Sequence, residues 1–284
     1  MRNRMSAGMI FLLASTTIAS DQVHAHIEAL RDDDVRWSAY HAMRAINRLP
    51  APPLAELHAA LDSEDWQQRQ CACALLWHFL HPPSYAKAAS AGTVTHQLLE
   101  VTIEGLRSDS LPADSHGNYT DVFNASLGFR MLVVHAAEAR ELLEAATQSD
   151  DYQQRFLSAL ALGFGRQAVS TDVAAPILVP HLRDNDIHED AKWCVHALHG
   201  LGHAVVRHLE AARPNADEQQ RELIELLTLD LNSPPTSRAE LESRRGFNHI
   251  SRSVFDPAVE PPKDDWMGWL RGLHDPSVLA PKSK

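Results

Sequence analysis

The stretch DWQQR at residues 65–69 is spelled again as DYQQR at residues 151–155, with one aromatic residue exchanged for another. The similarity extends to both sides, because SEDWQQRQCACALL at 63–76 aligns with SDDYQQRFLSALAL at 149–162. The offset is 86 residues (151 − 65), which is about twice the ~40–47-residue period of repeats built from paired helices. The recurrence therefore predicts an internal repeat whose unit is a pair of helices.

Two further stretches share a leucine, an acidic run and then apolar residues at helical spacing. They are LRDDDVRWSAYHAMRAI at 30–46 and LRDNDIHEDAKWCVHAL at 182–198, and DVFNASLGFRMLVV at 121–134 is a weaker case. An acidic residue directly before an apolar stripe suits a helix N-cap. Each of these helices is preceded by a second amphipathic stripe; the five stripes are Val23/Ile27/Leu30, Leu54/Leu57/Leu61, Leu98/Leu99/Ile103/Leu106, Leu142/Leu143/Ala146 and Ile177/Leu178/Leu182. No alternating β-branched run is present, so no strand is predicted.

Proline and glycine fall where these helices are expected to end. Pro176 is expected at a joint between helices, because proline cannot continue a helical hydrogen-bond ladder. Gly163 and Gly165 are expected to close one helix, and Gly200 and Gly202 another, as C-cap residues.

This arrangement resembles HEAT repeats, including the short bacterial HEAT-like type also found in phycobilisome lyases. The resemblance covers roughly residues 20–230 and rests on Leu30, Asp33, Val35, Arg36, Ala39, Leu61, Asp65, Trp66, Arg69, Asp151, Tyr152, Arg155, Leu182, Asp184, Ile187 and Ala191, together with ALALGFG at 159–165 and ALHGLG at 197–202. It implies an all-α fold, a right-handed α-α superhelix (a HEAT/armadillo-like solenoid) of about five helix pairs. The chain departs from the family pattern by placing aromatic residues at 66 and 152, where an aliphatic residue is usual, and by a loop inserted at 107–120.

The repeated positions are predicted to be structural. Trp66 and Tyr152 are expected to fill the gap between neighbouring units. Asp65 and Arg69 stand one helical turn apart, so we expect them to pair or to reach the next unit. The corresponding residues of the second stretch are Asp151 and Arg155.

Three parts of the chain are expected. Residues 1–20 resemble a short signal peptide or form a capping helix, residues 21–231 form the repeats, and residues 232–284 form an irregular proline-rich cap or tail. The tail contains DDWMGWLRGL at 264–273, which is expected to fold back onto the last apolar face or to dock on a partner. A cytoplasmic protein is expected, with export as the alternative.

Charge and hydropathy exclude some classes of partner. The net charge is −11, from 26 basic and 37 acidic residues. A groove that follows nucleic-acid phosphates needs clustered lysine and arginine, so nucleic-acid binding is disfavoured. No run of about 18 apolar residues is present, so no transmembrane segment is predicted.

Histidines crowd the last repeated stretch, and they define an alternative metal-binding hypothesis. Neutral imidazoles on facing helices bind zinc or iron when a carboxylate supports them. The candidate ligands are His188, Glu189, His196, His199 and His203. One HEAT-repeat family, deoxyhypusine hydroxylase, holds a di-iron centre with repeated His-Glu pairs. Here 188–189 is the single such pair, so the resemblance does not extend to the rest of that centre.

No catalytic motif is found, and no cofactor is expected. The favoured function is a scaffold or adaptor that binds another protein or peptide along the concave face lined by the second helices. The candidate binding residues are Trp37, His41, Arg44, Trp193 and His196. A small-molecule binder similar to chromophore lyases is a further alternative, which rests on the resemblance alone.

Overall fold

A computed structural model describes residues 21–31, 36–81, 93–107, 128–183 and 188–233 of the chain. Within these ranges the regular structure is entirely helical, which confirms the prediction of an all-α protein for this part of the chain. The described residues fall into two compact units, divided between Thr102 and Ile103. The expected N-terminal segment 1–20 and the tryptophan-containing stretch 264–273 lie outside the described residues.

The first unit contains helices α1 to α5. They span 21–28 (α1), Arg36–Asn47 (α2), Leu54–Ala60 (α3), Trp66–Leu80 (α4) and His96–Glu104 (α5), the last of which continues into the second unit. Predicted apolar stripes face the core, since Leu30, Leu57 and Leu98 are all 0 % exposed. Trp77 is 1 % exposed, and its indole Nε1 donates a hydrogen bond to Thr102 Oγ1 at 2.8 Å.

The second unit contains the remaining helices of the described chain. They span 128–134 (α6), Ala136–Ala146 (α7), Tyr152–Phe164 (α8), Thr171–Leu178 (α9), His188–Leu201 (α10), Val206–Ala212 (α11) and Glu218–Asn232 (α12). A 3₁₀ turn at Val179–Leu182 follows α9 directly, and another at His203–Val205 leads into α11. Helix α11 was not predicted, so the described chain has one helix pair more than the five expected from sequence.

Two of the glycines expected at helix ends have another role. Gly163 and Gly200 lie inside the last turns of α8 and α10. A β-carbon on Gly163 would lie 2.5 Å from Cβ of Ala197 and 2.6 Å from its carbonyl oxygen. These two glycines therefore allow the helices to cross closely. Gly165 and Gly202 do follow their helices directly, and the positive φ of Gly202, 82°, favours glycine there.

Pro176 also differs from expectation, because it lies inside α9 instead of at a joint. The helix is eight residues long and passes directly into the 3₁₀ turn at Val179–Leu182. A proline lacks the backbone N–H that would bond four residues back, so this helix is weakened internally.

Candidate functional site

The recurring stretch begins a helix at each occurrence, and the structure shows a third occurrence, DEQQR at 217–221, at the start of α12. In each case the aspartate is the N-cap residue. Its carboxylate accepts a hydrogen bond from the backbone N–H three residues later, at 2.7, 2.7 and 2.8 Å for Asp65, Asp151 and Asp217. This bond satisfies one of the four N–H groups that a helix start leaves without an intrahelical partner.

The two glutamines of each stretch bind the end of an earlier helix. The second glutamine is buried, and its side-chain amide donates to a backbone carbonyl at 2.8–2.9 Å in the pairs Gln68–Ile27, Gln154–Ile103 and Gln220–Val179. The first glutamine donates to the carbonyl three residues further on, at 3.3, 3.0 and 3.4 Å in the pairs Gln67–Leu30, Gln153–Leu106 and Gln219–Leu182. The carbonyls of Ile27 and Ile103 also accept a backbone hydrogen bond from Leu30 and Leu106, at 3.2 and 3.1 Å, so the glutamine pair adds bonds to the end of a distant helix.

The arginine of each stretch closes the turn before its own helix. Arg69 donates from Nη1 to the carbonyls of Ser63 and Glu64 at 2.7 and 3.0 Å. Arg155 and Arg221 make the corresponding bonds: Arg155 to Ser149 at 2.6 Å and Asp150 at 2.8 Å, and Arg221 to Ala216 at 2.9 Å. These backbone contacts, which the sequence did not predict, explain why aspartate and arginine keep the same spacing.

A second repeated element lies where the glutamines bind. Leu30, Leu106 and Leu182 are each followed by arginine, and each is 76 residues from the next (106 − 30 and 182 − 106). All three are 0 % exposed. We therefore define three copies of the repeat, residues 27–80, 103–164 and 179–232, each of which lies within one compact unit. The leucine eight residues before the N-cap aspartate, Leu57, Leu143 or Leu209, is likewise 0 % exposed in every copy.

Sequence reasoning missed the third copy for two reasons. Glu218 stands where the other stretches have an aromatic residue, and the offset from Asp151 is 66 residues (217 − 151) instead of 86. The pair of glutamines after an aspartate, taken together with the leucine-arginine pair upstream, would have found it.

A cleft of about 420 Å³ opens in the first copy, between the end of α1 and the turn that joins α3 to α4. Five carboxylates line it: Glu28, Glu56, Asp62, Glu64 and Asp65. Its basic groups are Arg31 and the imidazole of His24, and Gln68 forms part of its wall. The cleft is therefore strongly acidic.

The five carboxylates differ in what they already bind. Glu28 pairs with Arg31 at 2.9 Å, Asp65 caps α4, and Asp62 accepts a hydrogen bond from the amide of Gln97. Glu56 and Glu64 are exposed, and among the described residues neither carboxylate has a hydrogen-bond or ion-pair partner. Two uncompensated charges at the rim of a concave surface attract cations.

The equivalent positions of the other two copies carry fewer carboxylates. Glu56 corresponds to Leu142 and His208, and Asp62 to Gln148 and Pro214. Glu64 keeps an acidic counterpart in the second copy, Asp150, but there it lies 3.7 Å from Arg107. Since the other copies fold with the same leucines, glutamines and aspartate, the fold of a copy does not require the acidic rim.

The residues predicted to line a concave face have different environments. His41 and Arg44 are exposed on α2, and His196 is half-buried on α10. Trp37 lies in α2, but its side chain is outside the described residues. Trp193 is only 6 % exposed, and its ring lies 5.7 Å from that of Phe164 in α8. Trp193 is therefore a packing residue between α8 and α10.

The aromatic residues of the repeated stretches also differ from each other. Trp66 is half-buried, whereas Tyr152 is 53 % exposed. The ring of Tyr152 stacks on Phe156, and its hydroxyl lies 3.1 Å from Nε2 of His181, after α9. Tyr152 thus contacts His181 at the surface, and the role of Trp66 and Tyr152 in filling the gap between units stays a prediction.

The candidate metal ligands are spread along α10 and beyond. His188 and Glu189 begin α10, although their side chains are outside the described residues. His199 is exposed in the same helix, and Nε2 of His203 lies 2.7 Å from Oδ1 of Asn232. Within the described part of the chain, no three histidine, cysteine or acidic side chains come together as metal ligands. The metal-binding hypothesis stays a prediction.

Comparison with known proteins finds no matching family model and no curated protein with significant sequence similarity. No helix of the described ranges is long and apolar enough to cross a membrane. The acidic cleft is therefore the feature from which a function is proposed.

Proposed function

We propose that this protein is a non-catalytic adaptor that binds a basic segment of a partner protein in the acidic cleft of its first copy. The observation that carries the proposal is the pair Glu56 and Glu64, two rim carboxylates without a described partner. Neither other copy has both: Leu142 and His208 replace Glu56, and Asp150, the one acidic counterpart of Glu64, lies 3.7 Å from Arg107. A shared frame with a distinct edge is what a binding function added to one repeat produces.

The chemistry of the cleft favours lysine and arginine side chains of a peptide. Each exposed ion pair contributes only about 0–1 kcal/mol, so several pairs are needed for useful affinity. The net charge of −11 adds long-range attraction, which accelerates the encounter with a basic partner. Binding is therefore expected to weaken as salt is raised.

The fold we propose with this function is a HEAT-like right-handed α-α superhelix. Three tandem copies with buried leucines at shared positions support it. A cytoplasmic location is part of the same proposal. Export is the alternative, and it depends on residues 1–20, which lie outside the described chain.

The test is a titration of the protein into a fluorescein-labelled peptide of alternating arginine and alanine, followed by fluorescence anisotropy. The variant Glu56→Gln/Glu64→Gln removes the two uncompensated charges while keeping side-chain size. Two exposed pairs at about 0.4–0.7 kcal/mol each predict a loss of affinity of roughly four- to tenfold.

The matched control is Glu210→Gln/Glu218→Gln, which removes two exposed carboxylates from α11 and α12 and lowers the net negative charge equally. We expect it to bind like the wild-type protein. Equal weakening in both variants would mean that the peptide responds to overall charge, and the cleft would no longer be the proposed site.

A further inference from the structure

The arginine that follows the buried leucine has a different side-chain contact in each copy of the repeat. The three arginines are Arg31, Arg107 and Arg183, and successive ones are 76 residues apart (107 − 31 and 183 − 107). In the second copy, Nη1 of Arg107 lies 3.7 Å from Oδ1 of Asp150, the residue directly before the N-cap of α8. In the third copy, Nε of Arg183 donates to Oε1 of Gln220 at 3.1 Å. The contact of this arginine is therefore not part of the shared frame.

In the first copy, Arg31 turns back to a carboxylate of its own helical segment. Its Nε lies 2.9 Å from Oε2 of Glu28, and its Nη2 donates to Oε1 of the same residue at 3.4 Å. Glu64 corresponds to Asp150, because it also stands directly before an N-cap aspartate. Among the described residues, the carboxylate of Glu64 therefore lacks the guanidinium that its counterpart in the second copy has.

The acidic cleft makes Glu64 accessible to the side chain of a partner. Glu28, Arg31, Glu56 and Glu64 all line this cleft of about 420 Å³, and Glu64 is exposed. Since Arg31 already neutralises Glu28, the cleft offers Glu56 and Glu64 to a cation that enters it. A guanidinium carries several N–H donors in one plane and binds a carboxylate through two hydrogen bonds, whereas the ammonium of lysine is a point charge.

We propose that the cleft selects arginine, and that the guanidinium of the partner pairs with Glu64 as Arg107 pairs with Asp150. This inference rests on the proposed function and adds to it the type of residue that the cleft binds. The second copy carries the argument, because it shows a guanidinium beside the equivalent carboxylate. Glu28 is a positioning residue, since its bonds to Arg31 keep the chain's own guanidinium away from Glu64.

The experiment compares two fluorescein-labelled peptides of the same length and charge by fluorescence anisotropy. One alternates arginine with alanine and the other alternates lysine with alanine. The wild-type protein should bind the arginine peptide at least about threefold more tightly, because only a guanidinium forms the paired hydrogen bonds. Glu64→Gln should remove this preference. The matched control is Glu210→Gln, which removes one exposed carboxylate from α11 and should keep the preference.

Two further variants test the positioning role of Glu28. Glu28→Gln releases Arg31 to pair with Glu64, so the preference for the arginine peptide should disappear although Glu64 itself is unchanged. Glu28→Gln/Arg31→Gln has the net charge of the wild-type protein and lacks the competing guanidinium, so the preference should return. General electrostatic attraction would change the affinity for both peptides alike and would leave their ratio constant in all of these variants.

The possible results separate this inference from the proposed function. If the wild-type protein binds both peptides equally and Glu56→Gln/Glu64→Gln weakens both, the selection of arginine is wrong and the proposed function stands. A preference that survives in Glu64→Gln would also overturn the inference, since the guanidinium would then bind elsewhere. A preference that survives in Glu28→Gln would show that Glu28 does not position Arg31. If neither peptide binds, the proposed function is wrong, and this inference is wrong with it.

Discussion

The first and third copies of the repeat are built on the same frame but differ at their edges. Each copy opens with a helical segment that ends in a completely buried leucine, Leu30 or Leu182. In both copies a glutamine pair binds two backbone carbonyls of that segment. At the edge, the first copy has Glu56 and Glu64 where the third has His208 and Ala216. In a chain with internal repeats, residues shared by the copies report the fold, and residues that differ identify what each copy does alone.

The frame explains why glutamine is needed at the shared positions. Its primary amide donates two hydrogen bonds at the end of a three-bond stem, which lets it reach carbonyls of another helix. Glutamate would place acceptor oxygens against acceptor carbonyls, and asparagine is one carbon shorter. The carbonyls of Ile27 and Ile103 also accept a backbone N–H, so the glutamine supplies an additional bond there, and one hydrogen bond contributes about 0.5–1.5 kcal/mol to stability.

The largest effect is expected at Trp77 of the first copy. Its equivalent in the second copy, also twelve residues after the N-cap aspartate, is Gly163. Trp77→Ala should lower the free energy of unfolding by about 3–5 kcal/mol, because it empties a nearly inaccessible site and removes the bond to Thr102. Urea denaturation measures the loss. The control is Trp66→Ala in the same helix, whose side chain is half-buried and should cost less than half as much. Equal costs would show that α5 does not seal α4.

At the equivalent position of the second copy, Gly163, a larger side chain is expected to destabilise the protein. Gly163→Ala inserts a methyl group 2.6 Å from the carbonyl oxygen of Ala197, so overpacking should cost about 2–3 kcal/mol. Thermal unfolding reports the change. In a double-mutant cycle, Ala197→Gly should recover part of this cost, since it removes the Cβ, one of three atoms of Ala197 that lie 2.5–2.7 Å from the new methyl group. A Gly163→Ala variant as stable as the wild-type protein would mean that α8 and α10 do not cross closely.

The shared frame itself predicts three similar costs. Gln68→Met, Gln154→Met and Gln220→Met keep the length of the side chain but remove its donors, and each should destabilise its unit by about 1–2 kcal/mol. Denaturant midpoints at constant slope measure the effect. Gln67→Met is the control, because its amide is less buried and water replaces part of the lost bond. If one of these three variants were as stable as the wild-type protein, the packing of that copy would not depend on its glutamine bond.

The sequence predicted most of the helices because their chemistry is local. An aspartate before an apolar stripe specifies a helix start, and the three aspartates of the repeated stretch each cap a helix through the side chain. Thr95 caps α5 in the same way, because its Oγ1 accepts from the N–H of Leu98 at 3.2 Å. The leucine stripes were also visible, since burial follows helical periodicity, and Leu30, Leu57, Leu98, Leu143 and Leu178 are buried. Helix α11 escaped because it is only seven residues long and follows a glycine and a 3₁₀ turn.

The cleft and the glutamine bonds could not be predicted in the same way. The cleft joins residues 24–31 to residues 56–68, and which carboxylates meet there depends on how α1 packs against α3 and α4. Trp193 was predicted at a binding surface because its indole lies off the core stripe of α10 by periodicity alone. Its burial comes from Phe164 of another helix, which a single-helix pattern does not contain.

The smallest expected effect concerns an ion cluster that joins α9 to α11 of the third copy. Asp172 in α9 accepts hydrogen bonds from Nε2 of His208 at 2.9 Å and from the guanidinium of Arg207. These bonds, that of His208 first, lower the pKa of Asp172 below its ordinary value of 3.8. A carboxyl group whose pKa is lowered by folding stabilises the folded protein at pH values above its ordinary pKa. This contribution disappears as the pH falls through the lowered pKa.

The variant Asp172→Asn should therefore be slightly less stable than the wild-type protein at neutral pH and should match it in strong acid. Urea midpoints measured from neutral pH downward give the comparison, and Glu210→Gln in α11 is the control for a carboxylate that is exposed. The difference is small because the cluster is open to solvent, where ion pairs contribute little. A difference that persists unchanged into acid would show that Asp172 acts through helix capping or packing. In that case His208, which replaces Glu56 of the first copy, would have no part in holding α9 to α11.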